Sequence, residues 1–145
     1  MRFKVWSKRA TESKGLVAAN CHEPHIWISI YGNEVWEKPA ELPANEHRKA
    51  ELFLQFDDVT APAHARTPMN EEQAKQIVGF VDEWKDKVSL ICVNCEAGIS
   101  RSAATAAALS LWLNGNHSGI VEGNGFFPNS HVQKGILNAI EEHTK

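Results

Sequence analysis

Apolar positions along the chain fall into short runs with the period of strands and longer stretches with the period of helices. Within residues 25–31, isoleucine occupies every second position, and the run stops at a Gly-Asn pair, which is typical of a strand ending in a turn. Residues 88–93 are continuously apolar, as expected of a strand buried on both faces of a parallel sheet. Two further runs, at residues 2–6 and 51–56, also predict strands.

Three stretches have the helical period. The first covers residues 70–84 and begins with an asparagine that can cap the helix, with a glutamine three positions later. An alanine-rich run at residues 102–113 ends at an Asn-Gly pair, which is a helix stop. The last helix is predicted to begin near Asn129 or Ser130, and its apolar side chains share one face.

The alternation of strands and helices predicts an α/β fold with three layers, in which helices flank a mostly parallel central sheet. The charged residues 33–50 contain two prolines and predict a connection with at most one helical turn. A chain of 145 residues with 43% hydrophobic residues is long enough for one substantial core. We therefore expect one catalytic domain over residues 1–145.

Charge and cysteine content narrow the possible functions. The formal net charge is -3, so the chain has no basic footprint for nucleic acid or an acidic membrane. The N-terminus lacks a signal-peptide core and no apolar stretch reaches membrane-spanning length, which predicts a cytoplasmic protein. Three cysteines without framework spacing indicate reduced thiols. The oligomeric state is not given by the sequence, and a monomer is the default expectation.

The segment with the clearest chemistry runs from the buried strand at residues 88–93 into the alanine-rich helix. Between them lies a tight loop, residues 95–101, which we call the phosphate loop. Such a loop directs several backbone N–H groups at one point, and the positive end of the helix dipole supports an anion there. Gly98 lets the chain curl tightly, and Arg101 can bind two phosphate oxygens at once. Cys95 lies where these groups would stabilise a nucleophilic thiolate, and Ser102 could donate a hydrogen bond to its sulfur.

The string NCEAGISRSAATAAAL resembles the signature of the dual-specificity branch of the protein tyrosine phosphatase superfamily. That signature reads H-C-x-x-G-x-x-R-S after a strand. The resemblance covers residues 50–142, because an aspartate-containing loop lies upstream with a helix between, and Pro128 and Asn129 precede a late helix. Residues 1–49 match only in being strand-like.

The resemblance implies a phosphotyrosine phosphatase-like fold and a phosphomonoester hydrolase that acts through a phosphocysteine, without a metal or other cofactor. The catalytic residues that it implies are Cys95, Arg101, Ser102 and an upstream aspartate. Its substrate would be a phosphorylated protein or small phosphomonoester. The implied substrate-binding residues are those of the loop after the cysteine: Glu96, Ala97, Gly98, Ile99, Ser100 and Arg101.

The general acid implied by the resemblance is Asp57 or Asp58. We prefer Asp58, because the family places the acid at the start of the loop that follows the strand. Both residues can also be explained as a solvated loop start that caps nearby amides. His64 and Arg66 lie on the same loop and could contact substrate. Asn129 could order the phosphate loop or merely cap the last helix.

Asn94 departs from the family pattern, which has histidine before the nucleophile. The alternative function is therefore a catalytically weak binding module, a pseudophosphatase. Cys92 forms a C-x-x-C pair with the nucleophile, but its place in an apolar strand favours a buried core residue over a redox pair. Cys21 with two nearby histidines contains metal-binding side chains, but no fourth ligand is apparent.

Overall fold

Four strands form one parallel sheet in the computed structural model, which describes residues 1–117 and 125–145. The sheet order is β1-β4-β2-β3, and each neighbouring pair is parallel. This arrangement confirms the predicted three-layer α/β class with a parallel central sheet. The strands are β1 (Arg2–Ser7), β2 (His25–Tyr31), β3 (Arg48–Gln55) and β4 (Leu90–Cys95).

Helices cover both faces of the sheet. The larger core lies between one face and three long helices, and it contains the isoleucines of β2 and the face of β4 that carries Cys95. On the other face a smaller cluster joins Trp27 and Cys92 to Val17 of a short helix. The described helices are α1 (Lys8–Thr11), α2 (Lys14–Asn20), α3 (Glu71–Trp84), α4 (Arg101–Asn114) and α5 (Ser130–His143).

β4 lies between β1 and β2, and all six of its side chains are buried. Its continuous apolar pattern therefore reflects a strand covered on both faces, as predicted. The first ten residues of α4 are also buried, and most of them are alanine, serine or threonine, whose small side chains let this helix pack closely against the sheet. The carboxyl end of a central parallel strand, where neighbouring strands leave in different directions, is a usual place for a ligand site.

Two of the three long helices begin at their predicted caps. Asn70 and Gln73 make both hydrogen bonds of a capping box at the start of α3. Asn129 caps α5, its side chain accepting from the N–H of Val132 at 3.1 Å. The third, α4, ends at Gly115 in a left-handed conformation, as the Asn-Gly pair predicted.

The sequence prediction was incomplete before residue 50. Helices α1 and α2 lie in the polar stretch after β1, where no element was predicted, and each is capped by a serine, Ser7 or Ser13. Both helices are short, so their apolar periodicity was too weak to detect. β3 begins at Arg48 rather than at residue 51. Its first two residues, Arg48 and Lys49, are charged and therefore do not extend the apolar run from which the strand was predicted.

Candidate active site

The phosphate loop connects the end of β4 at Cys95 to the start of α4 at Arg101. The N-cap residue of α4, Ser100, makes no side-chain capping hydrogen bond, whereas a side chain caps each of the other described helices. The first N–H groups of α4 are therefore left for another acceptor. The positive end of the α4 dipole also lies at this point.

Gly98 has a φ of 74° and lies against the end of β1. A Cβ atom at this position would lie 2.6 Å from the backbone N of Ser7 and 2.6 Å from the backbone carbon of Trp6. The N–H of Lys8 also donates to the carbonyl of Glu96 at 3.0 Å. The first strand and helix therefore support the phosphate loop from outside, and no residue other than glycine fits this position without strain.

The thiol of Cys95 is buried at the start of the loop, with 2% of the residue exposed. Its Sγ lies 3.0 Å from the hydroxyl oxygen of Ser102, which is fully buried on the first turn of α4. The hydroxyl can therefore donate to the sulfur when the latter carries negative charge. The structure brings these two residues together as the sequence analysis expected.

Arg101 is buried, and two of its nitrogens are held by residues outside the loop. Nη1 donates to the carbonyl of Phe56 at 2.9 Å, and Nη2 donates to Oε1 of Glu37 at 2.5 Å. Both side chains of this ion pair are about one-twentieth exposed, 6% for Arg101 and 5% for Glu37. The Nε atom is buried without a partner among the described residues. The side chain is thus fixed in direction, and two of the five N–H donors of its guanidinium group are used in bonds to the described residues.

Sequence reasoning did not identify Glu37. It lies in the connection between β2 and β3, where several charged residues flank the prolines and no periodicity distinguishes one from another. Its N–H bonds to the carbonyl of Glu34 at 3.0 Å, which closes a tight turn. Burial of the carboxylate against Arg101 is a tertiary feature that has no local signal.

Asp57 is a buried carboxylate that holds two loops together. It accepts hydrogen bonds from the N–H of Asn33 at 2.8 Å, from the side-chain amide of Asn33 at 3.1 Å and from the N–H of Thr67 at 2.7 Å. Burial raises the pKa of this carboxyl, but these hydrogen bonds and the charge of Arg101 outweigh burial, so its pKa lies below the ordinary value. The acceptor sites of Asp57 are thus used within the protein.

Asp58 has the opposite environment, since it is exposed and faces the phosphate loop. Its Oδ1 accepts from the hydroxyl of Ser100 at 2.8 Å and from the side-chain amide of Asn129 at 2.8 Å. The backbone N–H of Asn129 also donates to the carbonyl of Ser100 at 3.2 Å. Asn129 therefore does both things considered from the sequence: it caps α5 and ties the phosphate loop to Asp58.

A groove of about 580 Å³ opens beside these residues. It lies between the loop that follows Asp58 and the segment before α5, and Ser100 is one of its lining residues. The groove is shallow and open to solvent. His64 and Arg66 lie farther along the same loop; both are exposed, and Arg66 forms an ion pair with Glu34 at 3.3 Å.

No family model and no curated protein matches the chain in a comparison of sequences. Solved structures do match. Human DUSP28 has a TM-score of 0.66 at 15% identity, covering 98% of this chain and 93% of its own. A mouse putative dual specificity phosphatase complexed with zinc tungstate has a TM-score of 0.66 at 16% identity, covering 97% and 82%. Human tyrosine phosphatase-like serine/threonine/tyrosine-interacting protein has a TM-score of 0.64 at 19% identity, covering 98% and 90%.

The chain has the dual-specificity phosphatase fold. The likeness extends over nearly the whole chain and so includes residues 1–49, which the sequence matched only weakly. Within the described residues, no helix has both the length and the apolar character needed to cross a bilayer.

Asn94, the departure from the phosphatase signature, faces away from the phosphate loop. Its Oδ1 accepts a hydrogen bond from the indole N–H of Trp27 at 2.9 Å, and both residues are buried. Asn94 and Cys92 lie on the face of β4 opposite Cys95, since alternate residues of a strand face opposite sides. The side chain of Asn94 therefore anchors β4 to β2 beneath the loop.

The other two cysteines lie together on that opposite face. The Sγ atoms of Cys21 and Cys92 are 4.0 Å apart, and both residues are buried. Cys92 is thus a core residue, and the sheet separates its side chain from Cys95. Among the residues that the structure describes, no cluster of three or more metal-binding side chains could hold an ion.

Proposed function

We propose that this protein is a cysteine-dependent phosphomonoester hydrolase, a protein-tyrosine or dual-specificity phosphatase that acts through a phosphocysteine intermediate. The observation that carries the proposal is the buried Nε of Arg101, which has no partner among the described residues although the rest of the guanidinium is held in place. A buried donor without an acceptor is costly, and an anion bound in the loop would satisfy it. The uncapped start of α4 supplies further donors at the same point.

In the first step, the thiolate of Cys95 attacks phosphorus in line with the leaving oxygen. The bond between sulfur and phosphorus forms as the bond between phosphorus and the leaving oxygen breaks. Arg101 and the loop amides hold the three remaining phosphate oxygens as charge develops on them. Asp58 donates a proton to the leaving oxygen, and its contacts to Ser100 and Asn129 position it for this role.

In the second step, water attacks the phosphocysteine. The carboxylate of Asp58 takes a proton from the water, the new bond to oxygen forms, and the bond to sulfur breaks. Sulfur leaves as a thiolate, which the hydroxyl of Ser102 at 3.0 Å can stabilise by donating a hydrogen bond. Inorganic phosphate is released and the enzyme returns to its starting state.

The substrate that this proposal favours is a phosphorylated protein. The variable loop positions are Glu96, Ala97, Ile99 and Ser100, so the loop lacks the extra positive charge that a polyanionic inositol phosphate would need. Phosphotyrosine is the default substrate from the family resemblance. We also propose that the protein acts in the cytoplasm, in keeping with its reduced cysteines.

The test is hydrolysis of p-nitrophenyl phosphate without added metal over a range of pH. We expect wild type to turn over, Cys95→Ser to be inactive, and Asp58→Asn to lose the basic limb of the pH–rate profile. Asp86→Asn is the control for the last variant, because Asp86 is exposed on the segment after α3. Equal profiles for Asp58→Asn and Asp86→Asn would contradict the assignment of the acid.

The alternative is a binding module that holds phosphoproteins without hydrolysing them. Its sequence support is Asn94 in place of histidine. An inactive wild type that still binds phosphate or vanadate would favour this alternative and contradict the enzyme proposal. An inactive wild type that binds neither would contradict both.

A further inference from the structure

Exposed apolar side chains are concentrated around the phosphate loop. Among the described residues, the three most exposed large apolar side chains are Val35 at 84%, Phe127 at 74% and Trp36 at 64%. All three belong to segments that contact the loop or its arginine. Ile99, which lies in the loop itself, is 42% exposed. Clustered exposed apolar groups next to polar chemistry mark interaction surfaces, whereas scattered ones need no explanation.

Val35 and Trp36 are held at the site by the turn that contains them. The turn is closed by the hydrogen bond between the N–H of Glu37 and the carbonyl of Glu34, so Val35 and Trp36 form its corner. The next residue, Glu37, binds the guanidinium of Arg101. The ion pair of Glu34 with Arg66 connects the same turn to the loop that follows Asp58. The turn that carries the exposed indole is therefore bonded both to Arg101 and to the loop that follows Asp58.

Phe127 is held on another side of the loop. Its N–H donates to the carbonyl of Ile99 at 2.7 Å, and two residues later Asn129 bonds to the carbonyl of Ser100. The segment thus runs along the outer edge of the phosphate loop. Pro128 and Asn129 line the groove of about 580 Å³ beside Asp58, so Phe127 stands next to the groove.

We propose that Trp36 and Phe127 bind apolar side chains that flank the phosphorylated residue of a polypeptide substrate. This inference rests on the proposed phosphatase function and names what that site selects. Both aromatic side chains belong to segments bonded to the phosphate loop or to Arg101, so a polypeptide that places its phosphate on Arg101 comes close to these segments. Large, stiff aromatic groups lose little conformational freedom on binding and commonly dominate such interfaces.

The charges of the phosphate loop itself and of the loop after Asp58 favour a polypeptide over a lipid surface. Glu96 is the charged residue between the cysteine and the arginine of the loop, and the carboxylate of Asp58 accepts a hydrogen bond from Ser100 of the same loop. Arg66, the basic residue on the neighbouring loop, is already paired with Glu34. Attraction to an anionic membrane requires clustered lysine and arginine. Binding of apolar side chains on a protein substrate does not require such a basic cluster.

The experiment compares kcat/KM for two phosphotyrosine peptides that differ only in having leucine or serine at the two positions on each side. We expect wild type to prefer the leucine peptide about 5- to 30-fold, the range of a typical interface anchor. Trp36→Ala and Phe127→Ala should each reduce that preference ratio severalfold. Leu16→Ala is the control, because Leu16 is exposed on α2, the helix whose Val17 packs on the opposite face of the sheet, and it should leave the ratio unchanged.

Binding of the same peptides to Cys95→Ser separates failure of this inference from failure of the phosphatase proposal. Suppose that wild type is inactive, but Cys95→Ser prefers the leucine peptide and loses the preference when Trp36→Ala is added. The proposed apolar binding surface would then be supported, whereas the phosphatase proposal would be contradicted. Equal ratios for wild type and both aromatic variants would overturn the inference. So would binding to vesicles of phosphatidylserine and phosphatidylcholine that depends on Trp36, without any preference between peptides.

Discussion

The guanidinium of Arg101 and the carboxylate of Glu37 form a buried ion pair, with 2.5 Å between Nη2 and Oε1. Arg101 begins α4, and Glu37 lies on the connection between β2 and β3. The pair therefore joins two parts of the chain that are 64 residues apart. It fixes the arginine from outside the phosphate loop, while Nε has no partner among the described residues. Long-range contacts such as this ion pair determine how substitutions around the phosphate loop should change stability and activity.

Glu37→Ala should lower the free energy of unfolding by about 3–5 kcal/mol, because it leaves the charge of Arg101 buried without its partner. Glu37→Gln should cost less, since its amide oxygen can still accept the hydrogen bond from Nη2. Urea unfolding of the three proteins measures the differences. Glu34→Ala is the matched control: it breaks the exposed pair with Arg66 and should change stability by less than about 1 kcal/mol. Equal effects for Glu34→Ala and Glu37→Ala would disprove the role given to burial.

Gly98→Ala should abolish most activity and destabilise the protein, because the new Cβ would meet the backbone of Trp6 and Ser7 at 2.6 Å. Gly115→Ala separates this contact from backbone strain. Gly115 has a similar φ of 78°, but a methyl group placed there would meet no neighbouring atom within 4 Å, so the substitution should cost only about 1 kcal/mol. The measurements are melting temperature and p-nitrophenyl phosphate turnover. Similar losses in both variants would mean that the positive φ alone explains why position 98 requires glycine.

Asp57→Asn should mainly reduce stability, whereas Asp58→Asn should mainly reduce activity, although the two residues are adjacent. Asp57 accepts three hydrogen bonds from Asn33 and Thr67, so replacing it should lower the free energy of unfolding by about 1–3 kcal/mol. Asp58 is exposed, so its replacement should leave stability within about 0.5 kcal/mol while activity falls. Denaturant unfolding and steady-state kinetics on both variants give the comparison. A stable, inactive Asp57→Asn beside an active Asp58→Asn would reverse the assignment.

Stability should fall as pH is lowered from 6.5 to about 4 because of His25. Its ring is fully buried in β2, and burial, together with the charges of Arg48, His47 and Lys49, lowers its pKa from 6.5 to about 4. In this window the unfolded chain binds a proton that the folded ring does not, so the free energy of unfolding decreases as pH falls. The loss reaches about 3 kcal/mol, from about 1.4 kcal/mol for each pH unit.

The measurement for His25 is urea unfolding at several pH values, with His25→Asn as the comparison. Asparagine cannot titrate, so the slope of stability against pH between 4 and 6.5 should be smaller in the variant. The pKa of Asp57 lies below its ordinary value of 3.8, so stability from that carboxylate is lost only at lower pH. Equal slopes for wild type and His25→Asn would contradict the explanation.

Much of the fold and part of the site were predictable because they depend on neighbours in sequence. The four strands and three long helices follow from apolar periodicity, and the caps at Asn70 and Asn129 from short-range side-chain hydrogen bonds. The phosphate loop is likewise local, since a buried strand, Gly98 and the start of a helix lie within a few residues of one another. Helices α1 and α2 were missed because they are too short to establish a period.

Roles that depend on distant contacts could be decided only by the tertiary structure. Nothing around Glu37 distinguishes it from other charged residues of its connection until the fold buries it against Arg101. Asp57 and Asp58 are identical in type and adjacent in sequence, yet one is enclosed by two loops and the other faces Ser100 and Asn129. The four strands, the three long helices and the local shape of the phosphate loop follow from the sequence, because period, caps and turns act over a few residues. Burial and partner choice arise only when distant segments pack, so the tertiary structure decided which charged groups surround the loop.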